Sequence, residues 1–155
     1  MKKPLFAIGA IAILAIAYWL ISPLFIVTTV NETVKDLPNE GVGSIVMSRG
    51  DFTDGEPGHH AAGTAVLLKY TDGNYAVRFE DDFEVTNGPD LFVYFGRDGV
   101  YDKNARISNL KASKGGQNYM VPKEIDASRY DELWIWCRAF SVPFGHAELV
   151  LKENP

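Results

Sequence analysis

The chain has one cysteine, Cys137, among its 155 residues. That excludes an internal disulfide, argues against a structural zinc site and rules out covalent c-type haem, which needs Cys-x-x-Cys-His. There is no Gly-x-Ser-x-Gly elbow, no Ser/His/Asp order, no phosphate-binding glycine loop and no pair of carboxylates at a catalytic spacing. Nothing in the sequence therefore points to a hydrolase or a transferase. After Val30 no window keeps the i, i+3, i+4, i+7 apolar pattern of an amphipathic helix. Positive charge is also short. Only Lys2 and Lys3 of the 15 basic residues precede Val30 and all 20 acidic residues follow it, so the remainder holds 13 basic and 20 acidic groups, a net −7. That balance argues against nucleic acid and against adhesion to anionic headgroups.

What is present begins with an apolar run from Leu5 to Ile21, inside a stretch from Pro4 to Val30 that carries no charge. A helix needs about 20 apolar residues to cross a bilayer. Tyr18 and Trp19 lie where interface aromatics sit, and Lys2 and Lys3 stay in the cytoplasm by the positive-inside rule. The rival reading is a cleaved signal peptide, whose apolar core is usually about 7–15 residues with a small-residue cleavage site after it. Here the run is longer, and Leu24, Phe25 and Ile26 follow Pro23. The expectation is an uncleaved transmembrane anchor over 1–30, a polar linker over 31–42 and one domain over 43–152 on the extracytoplasmic side of the cell membrane.

That domain reads as all-β, sandwich-like or barrel-like. Turn signals recur at Asp54-Gly55, Thr71-Asp72-Gly73-Asn74, Asn87-Gly88-Pro89, Arg97-Asp98-Gly99 and Lys114-Gly115-Gly116. Between them the spacing predicts a hairpin of 63–70 with 75–79, and strands over 91–95, 106–110, 117–121, 133–140 and 147–151. In the strand Leu133-Trp134-Ile135-Trp136-Cys137-Arg138-Ala139-Phe140, alternation puts Leu133, Ile135, Cys137 and Ala139 on one face and Trp134, Trp136, Arg138 and Phe140 on the other. Both faces are largely apolar, which predicts a central strand with Cys137 shielded from water.

Cys137 then reads in two ways. It is a small hydrophobe of the core, or it is a thiolate nucleophile or ligand, which needs a nearby cation, metal or helix N-terminus. The pair His59-His60 lies beside a Gly/Pro-containing loop and reads either as exposed polar residues or as ligands, since imidazole binds iron, copper and zinc. His60 with Cys137 has the atom types for a haem or copper site, and His146 is the third histidine that a copper site would want. Trp134, Trp136, Phe140 and Phe144 are core aromatics by default and would equally line a flat pocket for a macrocycle. Asn87-Gly88-Pro89-Asp90 reads as a turn, with Asp90 placed to pair with an arginine such as Arg138. The acidic group Glu80-Asp81-Asp82-Glu84 lacks EF-hand spacing and reads as a solvated face.

Three stretches carry a resemblance to a known family. They are Gly50-Asp51-Phe52 with His59-His60 and Gly63-Thr64-Ala65; Phe79-Glu80-Asp81-Asp82-Phe83 running into Asn87-Gly88-Pro89-Asp90-Leu91-Phe92-Val93-Tyr94; and Trp136-Cys137-Arg138-Ala139-Phe140-Ser141-Val142 with Phe144-Gly145 and Ala147. With Leu110, Gly115, Gln117, Tyr119 and Pro122 between the last two, the chain from Ser44 to Leu151 resembles the DM-thirteen domain, the electron-transfer DM domain. The resemblance implies an extracytoplasmic β-domain with a proposed redox role. Its cysteine matches Cys137, as a bare thiol or as a ligand to a cofactor such as haem. Two histidines stand where one is expected, and spacing to Gly63-Thr64 favours His60. The leading expectation is a membrane-anchored electron-transfer module that uses Cys137 with His60, walled by Trp136 and Phe140, and that meets a redox partner. The alternative is a cofactor-free tethered module that recruits an envelope protein.

Overall fold

The computed structural model describes residues 3–22, 26–37 and 43–152, with side chains of the first segment described at residues 8–19, 21 and 22. Helix α1 (Lys3–Ile21) is a run of strong helix formers and apolar β-branched residues without a charged residue in its last turn. Among the described residues no helix is long and apolar enough to cross a membrane. Within the region 1–30 where the anchor was expected, the described helix has 19 residues and ends at Ile21.

The body is a single curled antiparallel sheet, half of a barrel rather than a two-sheet sandwich. Its strands in chain order are β1 (Ser44–Asp54), β2 (Ala61–Ala62), β3 (Thr64–Tyr70), β4 (Tyr75–Phe79), β5 (Glu84–Val85), β6 (Leu91–Arg97), β7 (Val100–Asn109), β8 (Gln117–Met120), β9 (Glu132–Cys137), β10 (Val142–Glu148) and β11 (Val150–Leu151). The main sheet runs β7-β6-β9-β10-β1-β3-β4-β8, with β11 on the outer part of β1; β2 and β5 form a separate small ladder. Curling brings β7 and β8, the two ends of this order, towards one another. The expected hairpin is β3 with β4, from Ala65 opposite Phe79 to Lys69 opposite Tyr75.

Alternation fills the concave side. Leu67, Val77, Phe79, Val93, Phe95, Leu133, Ile135, Cys137 and Ala147 are all at most 2 % exposed and belong to one core. Aromatic edges interlock there, with Phe79 packed against Phe52 at 4.9 Å and against Phe83 at 4.6 Å. At about 1.5–3 kcal/mol for each large apolar side chain removed from water, this face supplies most of the driving force for folding.

Residues 26–37 lie against the domain. Val30 N donates to Lys114 O, Lys114 N to Thr28 O and Glu32 N to Gly116 O. The Glu32 carboxylate accepts from Lys111 Nζ at 2.7 Å and from Asn118 N at 2.7 Å, and Leu37 is buried beside Val66, Leu68 and Tyr70. The segment 31–37, expected as part of a linker, is thus strapped to β8 by hydrogen bonds that polar side chains alone could not announce. Residues 38–42 of that expected linker lie outside the described residues.

Candidate functional site

Cys137 ends β9 and faces the core. Leu91 of β6 pairs with it on one side and Val142 of β10 on the other. The free thiol is 0 % exposed, within the cluster that holds Leu91, Ile135, Phe144 and Ala147. The central strand and the inward face expected from alternation are both found. The strand is shorter than expected, because it stops at Cys137 and the chain turns through Ser141, whose φ is +56°. Phe140 consequently sits on that turn, 56 % exposed, instead of continuing the Trp136 face.

The histidines divide. His60 points outward: its Nδ1 lies 2.8 Å from Asp54 Oδ1 and its Nε2 3.5 Å from Glu84 Oε1, while its amide donates to Thr86 Oγ1. Asp54 also accepts from Ala61 N at 2.9 Å, which with the His60 ring holds its carboxyl below the usual range. Lys114 Nζ at 2.7 Å, and then His60, do the same for Glu84. His59 turns inward instead. It stacks on Phe144 at 3.9 Å, and its Nδ1 is buried without a hydrogen-bond partner. His146 stacks on Trp134 at 4.8 Å, with its Nδ1 3.3 Å from Thr53 Oγ1.

The structure does not bring the expected ligands together. His60 is held by two carboxylates, His146 lies with Trp134 on the opposite side of the sheet from Cys137, and no group of three His, Cys, Asp or Glu among the described residues could hold a metal. Cys137 is 0 % exposed and lines none of the described cavities. A haem or metal held by Cys137 and His60 does not fit these residues.

The convex side of β6, β7, β9 and β10 carries a second, aromatic cluster. Phe92, Tyr94 and Trp134 are buried there, with Tyr101 and Trp136 packed against them. Trp136 stacks on Tyr101 at 4.0 Å, and Tyr94 meets Tyr101 edge-on at 5.3 Å. Arg138 caps Phe92 at 4.7 Å and pairs with Asp90 at 2.9 Å, as the turn reading anticipated. Trp136 is therefore next to Cys137 in the chain and on the other face of the sheet, so the two cannot share one pocket. Sequence reading overlooked Glu132, a buried carboxylate that accepts from Trp134 Nε1 at 2.8 Å and Gly99 N at 2.6 Å. Its signal was its position two residues before Trp134, on the same face of one strand. Gln117 does more than fill its place in a motif. It is fully buried and ties Ala112 N, Ala112 O and the Tyr119 hydroxyl together; burial pushes the Tyr119 pKa well up.

A cavity of about 390 Å³ lies beside the Asn87-Gly88-Pro89-Asp90 turn, bounded by Leu91, Lys111 and Ser113. Its lining includes Leu91, the cross-strand partner of Cys137.

In comparison with known proteins, no curated protein and no solved structure matches the chain. The family described as Electron transfer DM13 matches residues 51–149, which run from the middle of β1 to the segment between β10 and β11 and enclose Cys137, both clusters and all three histidines. The chain belongs to the Electron transfer DM13 family.

Proposed function

We propose that this chain is an electron-transfer module held at the outer side of a membrane by α1, with Cys137 as its sheltered redox group and the Trp136–Tyr101 stack as the contact with a redox partner. The observation that carries the reading is the placement along β9: an enclosed, lone thiol, and one residue away a half-buried indole stacked at 4.0 Å on Tyr101. Thiol–disulfide exchange needs an accessible thiolate. Enclosure disfavours exchange of a bond and leaves exchange of one electron with the redox partner, the thiol giving up its proton as it is oxidised to a thiyl radical and regaining it on reduction. Membrane attachment is supported by the absence of charge from Pro4 to Val30 and by Ile8, Ile11, Leu14 and Trp19, each 66–73 % exposed around the helix. A helix that is apolar all round calls for apolar cover.

The test is voltammetry of the full chain in detergent. A reversible wave that Cys137→Ala abolishes, with the β spectrum of the domain unchanged, is the expected result. A wave that survives the substitution removes Cys137 from the reading. No wave in either protein removes electron transfer itself and leaves the second reading, a cofactor-free tethered binding module. That reading is favoured by one observation, the burial of Cys137 within the hydrophobic core cluster, which is how a small hydrophobe sits in a core.

A further inference from the structure

The hairpin of β6 and β7 is irregular. Tyr94 pairs with Arg106 and Gly96 with Tyr101, so β7 carries Asp102, Lys103, Asn104 and Ala105 where β6 has Phe95 alone. Extra residues on one strand make it bulge and re-aim its side chains. Asp102 Oδ1 pins the bulge by accepting from Asn104 N at 2.8 Å. Together with the 3-10 turn at Ala127–Arg129, the bulge bounds a cavity of about 520 Å³. That is the size of a small-molecule site, about 300–1,000 Å³.

Three cations line this cavity: Arg97, Lys103 and Arg129. None has an ion-pair partner among the described residues; Lys35, Lys69, Arg106, Lys123 and Lys152 also have none, but only here do three such cations line one cavity, whereas Arg49, Arg78, Lys111, Lys114 and Arg138 are paired. The single carboxylate of the lining, Asp102, already accepts from Asn104 N and from the Tyr130 hydroxyl at 2.8 Å. Its pKa is held down by those two donors and then by Arg129. Desolvation first, and then Asp102, raise the Tyr130 pKa, while Arg129 and Arg97 act against both, so the two guanidinium groups bear on one hydroxyl. In a chain of net charge −5, three cations against the one carboxylate of the lining leave this concave place net positive, with Asp126 also near enough to Arg129 for its carboxyl to be lowered by that charge. The cavity also has an apolar wall. Tyr101 has its ring backed by Trp136 at 4.0 Å, and Val100 is 63 % exposed.

We propose that the β7 bulge is a binding site for a planar aromatic anion. The ring lies on Tyr101 and Val100, and a phosphate or carboxylate sits in the fork of Arg97, Lys103 and Arg129. Arginine suits this task because its planar fork meets such groups bidentately. The site stands apart from the Cys137 side of the sheet and holds whether or not that thiol is redox-active.

The probe is riboflavin 5′-phosphate, titrated into the full chain in detergent and read by quenching of flavin fluorescence. Saturable quenching is expected. Riboflavin without the phosphate should bind at least about tenfold more weakly, since charge-assisted hydrogen bonds are lost. The double substitution Arg97→Gln with Arg129→Gln, both exposed side chains whose loss should leave the circular-dichroism spectrum unchanged, should weaken the phosphate form to the same degree. Inorganic pyrophosphate should displace it. Equal binding of riboflavin and its phosphate, or unchanged binding in the double variant, overturns the anion fork. Failure of the full chain to quench the phosphate form at all overturns the site.

Discussion

Cys137 is the only thiol, so a thiol reagent reports on one atom. The perturbation is a bulky aromatic disulfide reagent, offered to the native chain and to the chain in denaturant, with release of the coloured thiolate followed over time. In the native fold the sulfur is 0 % exposed, and its strand is paired on both sides, to β6 through Leu91 and to β10 through Val142. Labelling therefore has to wait for β9 to part from both neighbours, and the native rate is the unfolded rate multiplied by the fraction of molecules open. Removing the central strand of the curled sheet approaches global unfolding, which for a domain of this size costs about 5 kcal/mol or more. With about 1.4 kcal/mol to each factor of ten, native labelling should be slower by about 10³ or more. A native rate within tenfold of the denatured rate would mean that the end of β9 opens at a cost below about 1.4 kcal/mol. That result would refute both the sealed core and the preference for electron exchange over thiol chemistry.

Three other outcomes are expected. Arg78 is 4 % exposed and donates to Glu32 O at 2.9 Å and Asn118 Oδ1 at 3.0 Å. Arg78→Met orphans both acceptors, breaks the ion pairs to Glu80 and Asp81 as well, and should cost about 2–4 kcal/mol in denaturant unfolding, with a loss below about 1 kcal/mol counting against the strap of residues 26–37 as part of the fold. A Cβ on Gly88 would stand 2.8 Å from Phe144 Cε1 and 2.9 Å from Leu91 Cδ2, so Gly88→Ala should destabilise by about 1–3 kcal/mol through overpacking; an unchanged Tm would show that this core yields freely. Asp54 has its pKa held below the ordinary 3.8, chiefly by Ala61 N and then by His60. Because the native value is the lower one, its stabilisation is complete above about pH 4–5 and disappears as the pH falls through the native value. Asp54→Asn should therefore flatten the acid limb of the stability profile, and parallel acid limbs for the two proteins would exclude the interaction.

The strands that sequence revealed share a property: their apolar residues alternate and turn residues bracket them. β3, β4, β6, β8 and β9 are of this kind, and the face of Cys137 followed from parity alone. β1 escapes this pattern although it is the longest strand. Ser48, Arg49, Gly50 and Asp51 interrupt its apolar alternation, and it is held by three partners, β3, β10 and β11, two of which lie far away in the chain. Gly50 is required there, because a Cβ would come within 1.9 Å of Glu148 O. The choice between a sandwich and a barrel was equally out of reach. It depends on β1 bridging β10 and β3 into one sheet, a pairing that local pattern does not encode.

The site divides along the same line. The sequence by itself determined that there is one thiol and no disulfide, that Cys137 and Trp136 face opposite sides of a strand, and that the part after Val30 is acidic, because composition and the two-residue period need no partner. Only the tertiary structure decided that His59 turns inward and His60 outward, that Phe140 leaves the strand, that His60 goes to Asp54 and Glu84, and that Arg97, Lys103 and Arg129 line one cavity. Each of these depends on side chains from segments distant in the chain meeting in space, and the free energy that selects one such meeting comes from burial and hydrogen bonding across the whole curled sheet.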